Sequence, residues 1–253
     1  MQSIERAAAI LRLLARGSGR LGVGEIASSL ELAKGTAHGI LRTLQRVGFV
    51  EQDRATGKYQ LGAALLHLGT SYLDVNELRS RAINWADALA ARSGEAVRIG
   101  APLEGSALVV HHVFRPDDSL QTLDVGALLP LHATALGKAV LAYLDQDVRD
   151  DLVGATPTKL TGQTLVTTAA LSRDLDAVRE RGYAVEKEEA VLGEGGVAAP
   201  IFDRRSEAVG AIGVVGPRER VIGRGRDKKL GTAVIEAARG ISRDLGATRW
   251  PAI

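Results

Sequence analysis

The chain of 253 residues contains no cysteine and few aromatic residues, which make up 4% of it. Without cysteine there can be no disulfide framework, thiolate metal site or cysteine nucleophile, which is typical of a reducing cytoplasm. No apolar run approaches the roughly 20 residues that a membrane-spanning helix needs. Charges at Glu5, Arg6 and Arg12 interrupt the apolar start, so it lacks the core of a signal peptide. We therefore expect a cytoplasmic protein with no membrane partner.

Motifs of common enzyme sites are also missing. The sequence contains no G-x-S-x-G nucleophile elbow, no G-x-x-x-x-G-K-[ST] phosphate loop and no H-E-x-x-H pair. Apolar residues make up 45% of the chain and charged residues 25%, which is typical of a globular protein. The length favours two domains. These features predict a protein that is not an enzyme and that needs neither a cofactor nor a metal.

The basic residues are unevenly distributed. Residues 1–62 contain nine lysines and arginines against five acidic residues, whereas the rest of the chain has 23 basic and 25 acidic residues. A basic N-terminal part favours contact with phosphates, because binding them releases condensed counterions.

The same N-terminal part has the pattern of three helices. The first covers residues 2–16, with Ile4, Ala8, Leu11 and Ala15 on one stripe, and the second contains Ile26 and Leu30. A third helix is predicted from Lys34 to Val47. At about 100° per residue, its apolar residues share one arc that should be buried; they are Ala33, Ala37, Ile40, Leu41 and Leu44. The opposite arc has no large apolar side chain and suits base edges and phosphates; it carries Gly35, His38, Gly39, Arg42, Gln45 and Arg46.

A basic hairpin follows the third helix. Phe49 and Val50 on one side and Tyr59 and Leu61 on the other enclose a turn with glycine at position 57. Three helices closed by such a hairpin predict a winged helix-turn-helix over residues 1–62, which binds double-stranded DNA.

The remaining sequence predicts a linker and a second domain. Residues 63–76 form a linker helix, and a further helix opens a domain over residues 77–253. Its short β-type runs alternate with helical stretches, which indicates an α+β fold. The predicted strands are 107–113, 120–125, 183–188, 197–202 and 209–215, and the predicted helices are 134–144, 168–181 and 227–245.

Several segments resemble the IclR family of bacterial transcriptional regulators. They are LAKGTAHGILRTLQRVGFVEQDRATGKYQLG, PLHATALGKAVLAYL, RGYAVEKEE and VAAPIFDRRSEAVGAIGVVG. Within the family, IERAAAILRLLA, KGTAHGILRTL and VHHVFRPDDSLQ look most like the glycerol-operon regulators. The resemblance implies a homodimer or dimer of dimers that binds an operator, usually as a repressor. It also implies a GAF-like (profilin-like) C-terminal domain that binds a small organic effector.

The resemblance also implies site residues. DNA contacts would lie on one face of the third helix and on the hairpin, which is the wing of this fold. On the helix, two glycines replace side chains found in other members. The helix residues are Lys34, Gly35, Thr36, His38, Gly39, Arg42 and Thr43, and the hairpin residues are Arg54 and Lys58. The effector pocket would use Thr134, Ala135, Leu136, Gly137, Glu186, Glu189, Gly196, Gly213 and Val215. Glu186 replaces the usual Asp or Ser of the family, and Gly196 replaces a small residue that is often Cys.

Three functions compete at this point. The main hypothesis is a repressor released by its effector, with glycerol or glycerol 3-phosphate as first candidates. An activator or repressor of an aromatic or organic-acid operon is the nearer alternative. A third class of function is a small-molecule enzyme fused to a DNA-binding domain, or a pure protein-interaction module. The enzyme would be supported if the acidic residues Glu186, Glu188 and Glu189 converged in a cleft.

Overall fold

The computed structural model describes residues 2–16, 19–117, 119, 121–154 and 156–250. The chain divides into two compact units, residues 1–75 and residues 76–253. Within the described residues, no helix has both the length and the apolar character to cross a membrane.

The first unit consists of three helices, a two-stranded hairpin and a fourth helix. Its elements are α1 (Gln2–Leu14), α2 (Val23–Ser29), α3 (Lys34–Arg46), β1 (Val50–Gln52), β2 (Tyr59–Leu61) and α4 (Ala64–Val75). The helices and the hairpin bury one apolar cluster, which includes Ile10, Ile26, Leu41 and Tyr59. Leu21 adds a β-bridge to Tyr59 and so attaches the hairpin to the segment before α2. The predicted winged helix-turn-helix arrangement is therefore present.

Helical periodicity predicted the buried face of α3 well. Ala37, Leu41 and Leu44 are buried and Ile40 is half-buried, but Ala33 is exposed because it is the N-cap residue that precedes the helix. The stripe predicted for α1 was only partly right: Leu11 packs against the apolar cluster, but Ile4 and Ala15 are exposed. Ile4 is 78% exposed, whereas Ile10 and Leu14 face the core.

The second unit is an α+β domain, so the predicted fold class is confirmed. Its first elements are α5 (Glu77–Ser93), β3 (Ala96–Leu103), β4 (Ser106–Val113), β5 (Leu128–Pro130), α6 (Ala135–Leu141) and α7 (Gln146–Val153). They are followed by α8 (Thr168–Arg181), β6 (Ala184–Lys187), β7 (Glu194–Phe202), β8 (Ala208–Pro217), α9 (Arg218–Val221) and α10 (Arg226–Asp244).

Strands β3 to β8 form one sheet in the order β5-β4-β3-β8-β7-β6, and within the described residues each pair of neighbouring strands is antiparallel. Side chains alternate between the two faces of a strand. Helices α6 and α8 pack on the face that Ala184, Ala198 and Ala211 share. Helices α5 and α10 cover the other face, where Leu78 lies close to Gly210. The sheet is therefore covered by helices on both sides.

Two parts of this domain differ from the sequence-based prediction. The strand predicted over residues 120–125 was wrong: position 120 lies outside the described residues, and residues 121–124 have no regular structure. Gln121 explains this loop, because its side chain accepts the Arg115 N–H at 2.7 Å and donates to the Arg115 carbonyl at 2.9 Å. Strands β3 and β5 and helices α7 and α9 were not predicted.

Candidate nucleic-acid interface and ligand cavity

The outward face of α3 is polar and exposed. The residues predicted to contact DNA on this helix are all exposed: Lys34, Gly35, Thr36, His38, Gly39, Arg42 and Thr43. Within the described part of the chain, the side chains of Lys34, His38 and Arg42 make no hydrogen bond or ion pair. Thr43 differs, because its hydroxyl donates to the Gly39 carbonyl at 3.2 Å. The face thus presents charged and polar groups that the first unit does not itself use.

The two glycines on this face leave the helix backbone bare. A Cβ placed at Gly35 or Gly39 would meet no atom within 4 Å, so neither glycine is needed for packing inside the first unit. Glycine inside a helix costs roughly 0.5–1 kcal/mol relative to alanine. A close approach of another molecule to the backbone is a physical reason to keep glycine there.

The hairpin turn is organised by Asp53. Its Oδ1 accepts the N–H groups of Ala55 at 2.8 Å and Thr56 at 2.9 Å, and these bonds hold the pKa of Asp53 below its ordinary value. Gly57 follows with φ of +68°, a conformation that glycine adopts without strain. Arg54 in this turn is exposed, and Lys58 lies 3.9 Å from Glu25 of α2. The turn therefore holds Arg54 at the outer end of the hairpin.

A cavity of about 240 Å³ lies in the second unit, beside the N-terminal end of α6. Seven of the nine residues predicted for an effector pocket line it: Thr134, Ala135, Leu136, Glu186, Gly196, Gly213 and Val215. The other lining residues were missed by the sequence analysis; they are Arg98, Leu129, Pro130, Leu160, Ala190, Val191, Glu194 and Val214. Most of the lining is apolar, with a few charged groups among it. This composition is typical of small-molecule sites.

Gly137 and Glu189 do not line this cavity. A Cβ at Gly137 would lie 2.3 Å from the backbone of Leu131, so this glycine permits close packing. Glu189 is turned towards the fully buried Lys138, whose Nζ contacts its two carboxylate oxygens at 2.7 and 2.8 Å. Lys138 also contacts the Val185 carbonyl at 2.7 Å and Asp174 at 2.9 Å. This cluster of Lys138, Glu189 and Asp174 ties α6 to α8 and to the end of β6.

The three glutamates that follow one another near β6 point to different places. Glu186 reaches the cavity, Glu189 binds Lys138, and Glu188 lies 3.2 Å from Arg218. Since they do not converge in one cleft, the sequence-based argument for acid-base chemistry loses its geometric basis.

Glu186 is buried, and its carboxyl accepts the Ala135 N–H at 3.2 Å. Burial raises the pKa of Glu186 to about 7, against the opposing effects of the Ala135 N–H and the Lys138 charge. Burial also raises the pKa of Glu189, and Lys138 opposes that shift. Ionised and neutral Glu186 are therefore both accessible near neutral pH.

The histidines in this domain have structural environments. His112 Nδ1 accepts the Asp124 N–H at 3.1 Å, and burial lowers the pKa of both His111 and His112. His132 Nε2 lies 2.9 Å from the Thr158 carbonyl. In the described residues, no group of three or more acidic or histidine side chains could hold a metal ion.

Comparison with known families matches both parts of the chain. Residues 3–54 match the IclR helix-turn-helix domain, and residues 70–243 match the family described as bacterial transcriptional regulator IclR C-terminal. The chain is 55% identical to the glycerol operon regulatory protein of Streptomyces coelicolor over 251 residues, which cover 99% of this chain and 98% of that protein. It is 32% identical to the transcriptional repressor AllR of Escherichia coli, with 99% and 92% covered.

Solved structures agree with these matches. The IclR transcriptional regulator of Alicyclobacillus acidocaldarius has a TM-score of 0.84 at 27% identity, with 96% of this chain and 98% of that chain covered. The Thermotoga maritima IclR has a TM-score of 0.72 at 26% identity, with 97% and 99% covered. The resemblance inferred from the sequence motifs is confirmed: this chain is a DNA-binding transcriptional regulator that belongs to the IclR family.

Proposed function

We propose that this regulator is a repressor that binds an operator through α3 and the hairpin and is released by a small organic effector bound in the cavity beside α6. The observation that carries the proposal is the outward face of α3, which exposes Lys34, His38 and Arg42 without internal partners. Such a face fits the major groove, where donors and acceptors meet base edges and phosphates. Arg54 and Lys58 on the hairpin, which are both exposed, bind the DNA backbone in this proposal.

Glycerol and glycerol 3-phosphate are the first candidate effectors, because the relative from Streptomyces coelicolor is named for the glycerol operon. The cavity size supports a small ligand. Its volume of about 240 Å³ is below the roughly 300–1,000 Å³ of sites that hold drug-sized molecules. Release of the operator requires that the effector bind the DNA-free state of the protein more tightly than the DNA-bound state.

The regulator acts as a homodimer or as a dimer of dimers. Helix α4 supports this part of the proposal, since Leu68 and Tyr72 lie one turn apart on the same face and are 52% and 50% exposed. Apolar side chains clustered on one helix favour contact with a second copy. Analytical ultracentrifugation of the full chain and of a Leu68→Glu and Tyr72→Glu double variant tests it. A monomeric wild-type protein would contradict this part.

The test of DNA binding is a fluorescence-anisotropy titration of the full chain onto DNA from upstream of its own gene, at about 0.15 M salt, with scrambled DNA as the control. Replacing Arg42 with Ala should weaken operator binding, by about 1–3 kcal/mol if Arg42 contacts a base edge. If Arg42 contacts a phosphate, the slope of the logarithm of the binding constant against the logarithm of the salt concentration should instead fall by about 1, which corresponds to one lost phosphate contact.

Arg205→Ala is the matched control, because Arg205 is exposed in the turn between β7 and β8 of the second unit. It should bind like the wild type. Equal operator affinity of Arg42→Ala and the wild type would contradict the assignment of α3. Addition of glycerol or glycerol 3-phosphate to the preformed complex then tests release, and tighter DNA binding on addition would contradict repression released by that effector.

A further inference from the structure

Glu186 and Gly196 form a directly opposed pair on neighbouring strands. Glu186 of β6 lies opposite Gly196 of β7 in the antiparallel register. A Cβ at Gly196 would lie 3.1 Å from Glu186 Oε2 and 3.1 Å from the Ala135 Cβ, closer than an ordinary contact. The missing side chain at position 196 therefore provides the space that the Glu186 carboxyl fills.

The Glu186 carboxyl occupies a position where the anionic end of a ligand could otherwise bind. Its Oε2 accepts the N–H of Ala135, the first residue of α6. The Gly137 N–H is bound to Thr134 Oγ1 at 3.1 Å, and the Lys138 N–H is bound to the Thr134 carbonyl at 2.9 Å. An anion arriving here would meet the Glu186 carboxyl, and the N–H groups of Ala135 and Gly137 are already in use.

The cations near the cavity are also paired. In the described part of the chain, Lys138 Nζ is held by Glu189 and Asp174, and Arg98 Nη2 lies 2.7 Å from Asp124, although the buried Nε of Arg98 has no hydrogen-bond partner. A second acidic residue, Glu194, lines the cavity. Apart from this one N–H of Arg98, which belongs to an ion-paired guanidinium, an anionic ligand would have to displace an internal ion pair to gain a counter-charge, and it would still face like charges.

A neutral ligand with hydroxyl groups meets none of these obstacles. A carboxylate has about four acceptor sites, so the Ala135 N–H leaves capacity for a ligand O–H donor. A hydrogen bond to an ionised group is stronger than one between neutral groups. The apolar lining from Leu129, Leu136 and Val215 suits the carbon chain of a small polyol.

We propose that Glu186, seated in the space left by Gly196, is the specificity-determining residue of the cavity and selects an uncharged polyol of glycerol's size over anions with the same carbon skeleton. This inference rests on the proposed effector role of the cavity. It separates the two first candidates, because it favours glycerol over glycerol 3-phosphate.

The test uses isothermal titration calorimetry of the full chain with three probes that share three carbons and differ in charge: glycerol, glycerate and glycerol 3-phosphate. At about pH 8, where Glu186 is mostly ionised, the wild type should bind glycerol at least about tenfold more tightly than either anion. Glu186→Ser should reduce or reverse that preference, since it vacates the Ala135 N–H. Glu186→Gln serves as a second variant of the same shape.

Two further variants sharpen the test. Gly196→Ala should weaken glycerol binding, because the new methyl group crowds the Glu186 carboxyl. Glu188→Ser is the matched control, because Glu188 pairs with Arg218 outside the cavity, and it should keep the wild-type preference. A preference that changes in Glu186→Ser and not in Glu188→Ser cannot arise from general loss of stability.

Three results would overturn the inference: wild-type protein that binds glycerate or glycerol 3-phosphate as tightly as glycerol, no glycerol binding at all, or an unchanged preference in Glu186→Ser and Glu186→Gln. Operator binding measured on the same preparations distinguishes a failure of the role given to Glu186 from a failure of the proposed function. Specific operator binding without the expected selectivity rejects only the role of Glu186, whereas no specific operator binding rejects the proposed function.

Discussion

Replacing Glu186 with Gln should make the second unit more stable at neutral and alkaline pH. The pKa of Glu186 is about 7 in the folded chain and 4.5 as the ordinary value, and burial is the main cause. At 1.36 kcal/mol per pH unit, ionising this buried carboxyl lowers the free energy of unfolding by about 3 kcal/mol. Glutamine keeps the shape and the acceptor for the Ala135 N–H but carries no charge.

The sign follows from proton binding. Between about pH 4.5 and pH 7 the folded state keeps a proton on Glu186 that the unfolded state has lost, so the wild-type free energy of unfolding falls as pH rises through this window. Lys138 and Glu189, which face Glu186, are present in both proteins. The variant should therefore equal the wild type near pH 4.5 and exceed it by about 1–3 kcal/mol at pH 8.

Urea unfolding followed by tryptophan fluorescence provides the assay. Both tryptophans, Trp85 and Trp250, belong to the second unit, so the signal reports on that unit. Glu188→Gln is the control, and its difference from the wild type should not change with pH in this window. If the difference between Glu186→Gln and the wild type were constant from about pH 4.5 to 8, the burial argument for Glu186 would be refuted.

Three further changes test other parts of the structure. Gly39→Ala should stabilise α3 by about 1 kcal/mol, because its Cβ meets open space, and yet weaken operator binding; unchanged affinity would exclude a close DNA approach there. Lys138→Met should cost about 3–5 kcal/mol in the urea assay, because it leaves Glu189 and Asp174 unpaired, and a cost near zero would contradict the buried ion pair. Asp53→Ala should weaken operator binding several-fold without changing tryptophan-detected unfolding, and wild-type affinity would show that the turn does not position the hairpin.

Sequence patterns predicted the first unit better than the second. Helix α3 has a regular alternation of apolar and polar faces, so its exposed surface followed from periodicity. Strand β3 has no such signal: half of its residues are buried, they do not alternate with exposed ones, and Gly100 and Pro102 interrupt it. Because β3 was missed, so was Arg98, the cation that it brings to the cavity. Buried strands of this kind can be recognised only from their neighbours in the sheet.

The cavity shows what register adds to a residue-by-residue reading of the sequence. Glu186 and Gly196 lie on different strands, and along the chain they are separate features. In the sheet they are cross-strand partners, so that the long acidic side chain of Glu186 lies opposite a glycine, which has no side chain. Such pairs interact directly, so a change at one position alters what the other can hold. With a Cβ at position 196 the Glu186 carboxyl would be crowded at 3.1 Å, and it would have to leave the Ala135 N–H or shift α6. The two residues therefore form one structural feature, and its chemical consequence is a carboxyl group inside the cavity.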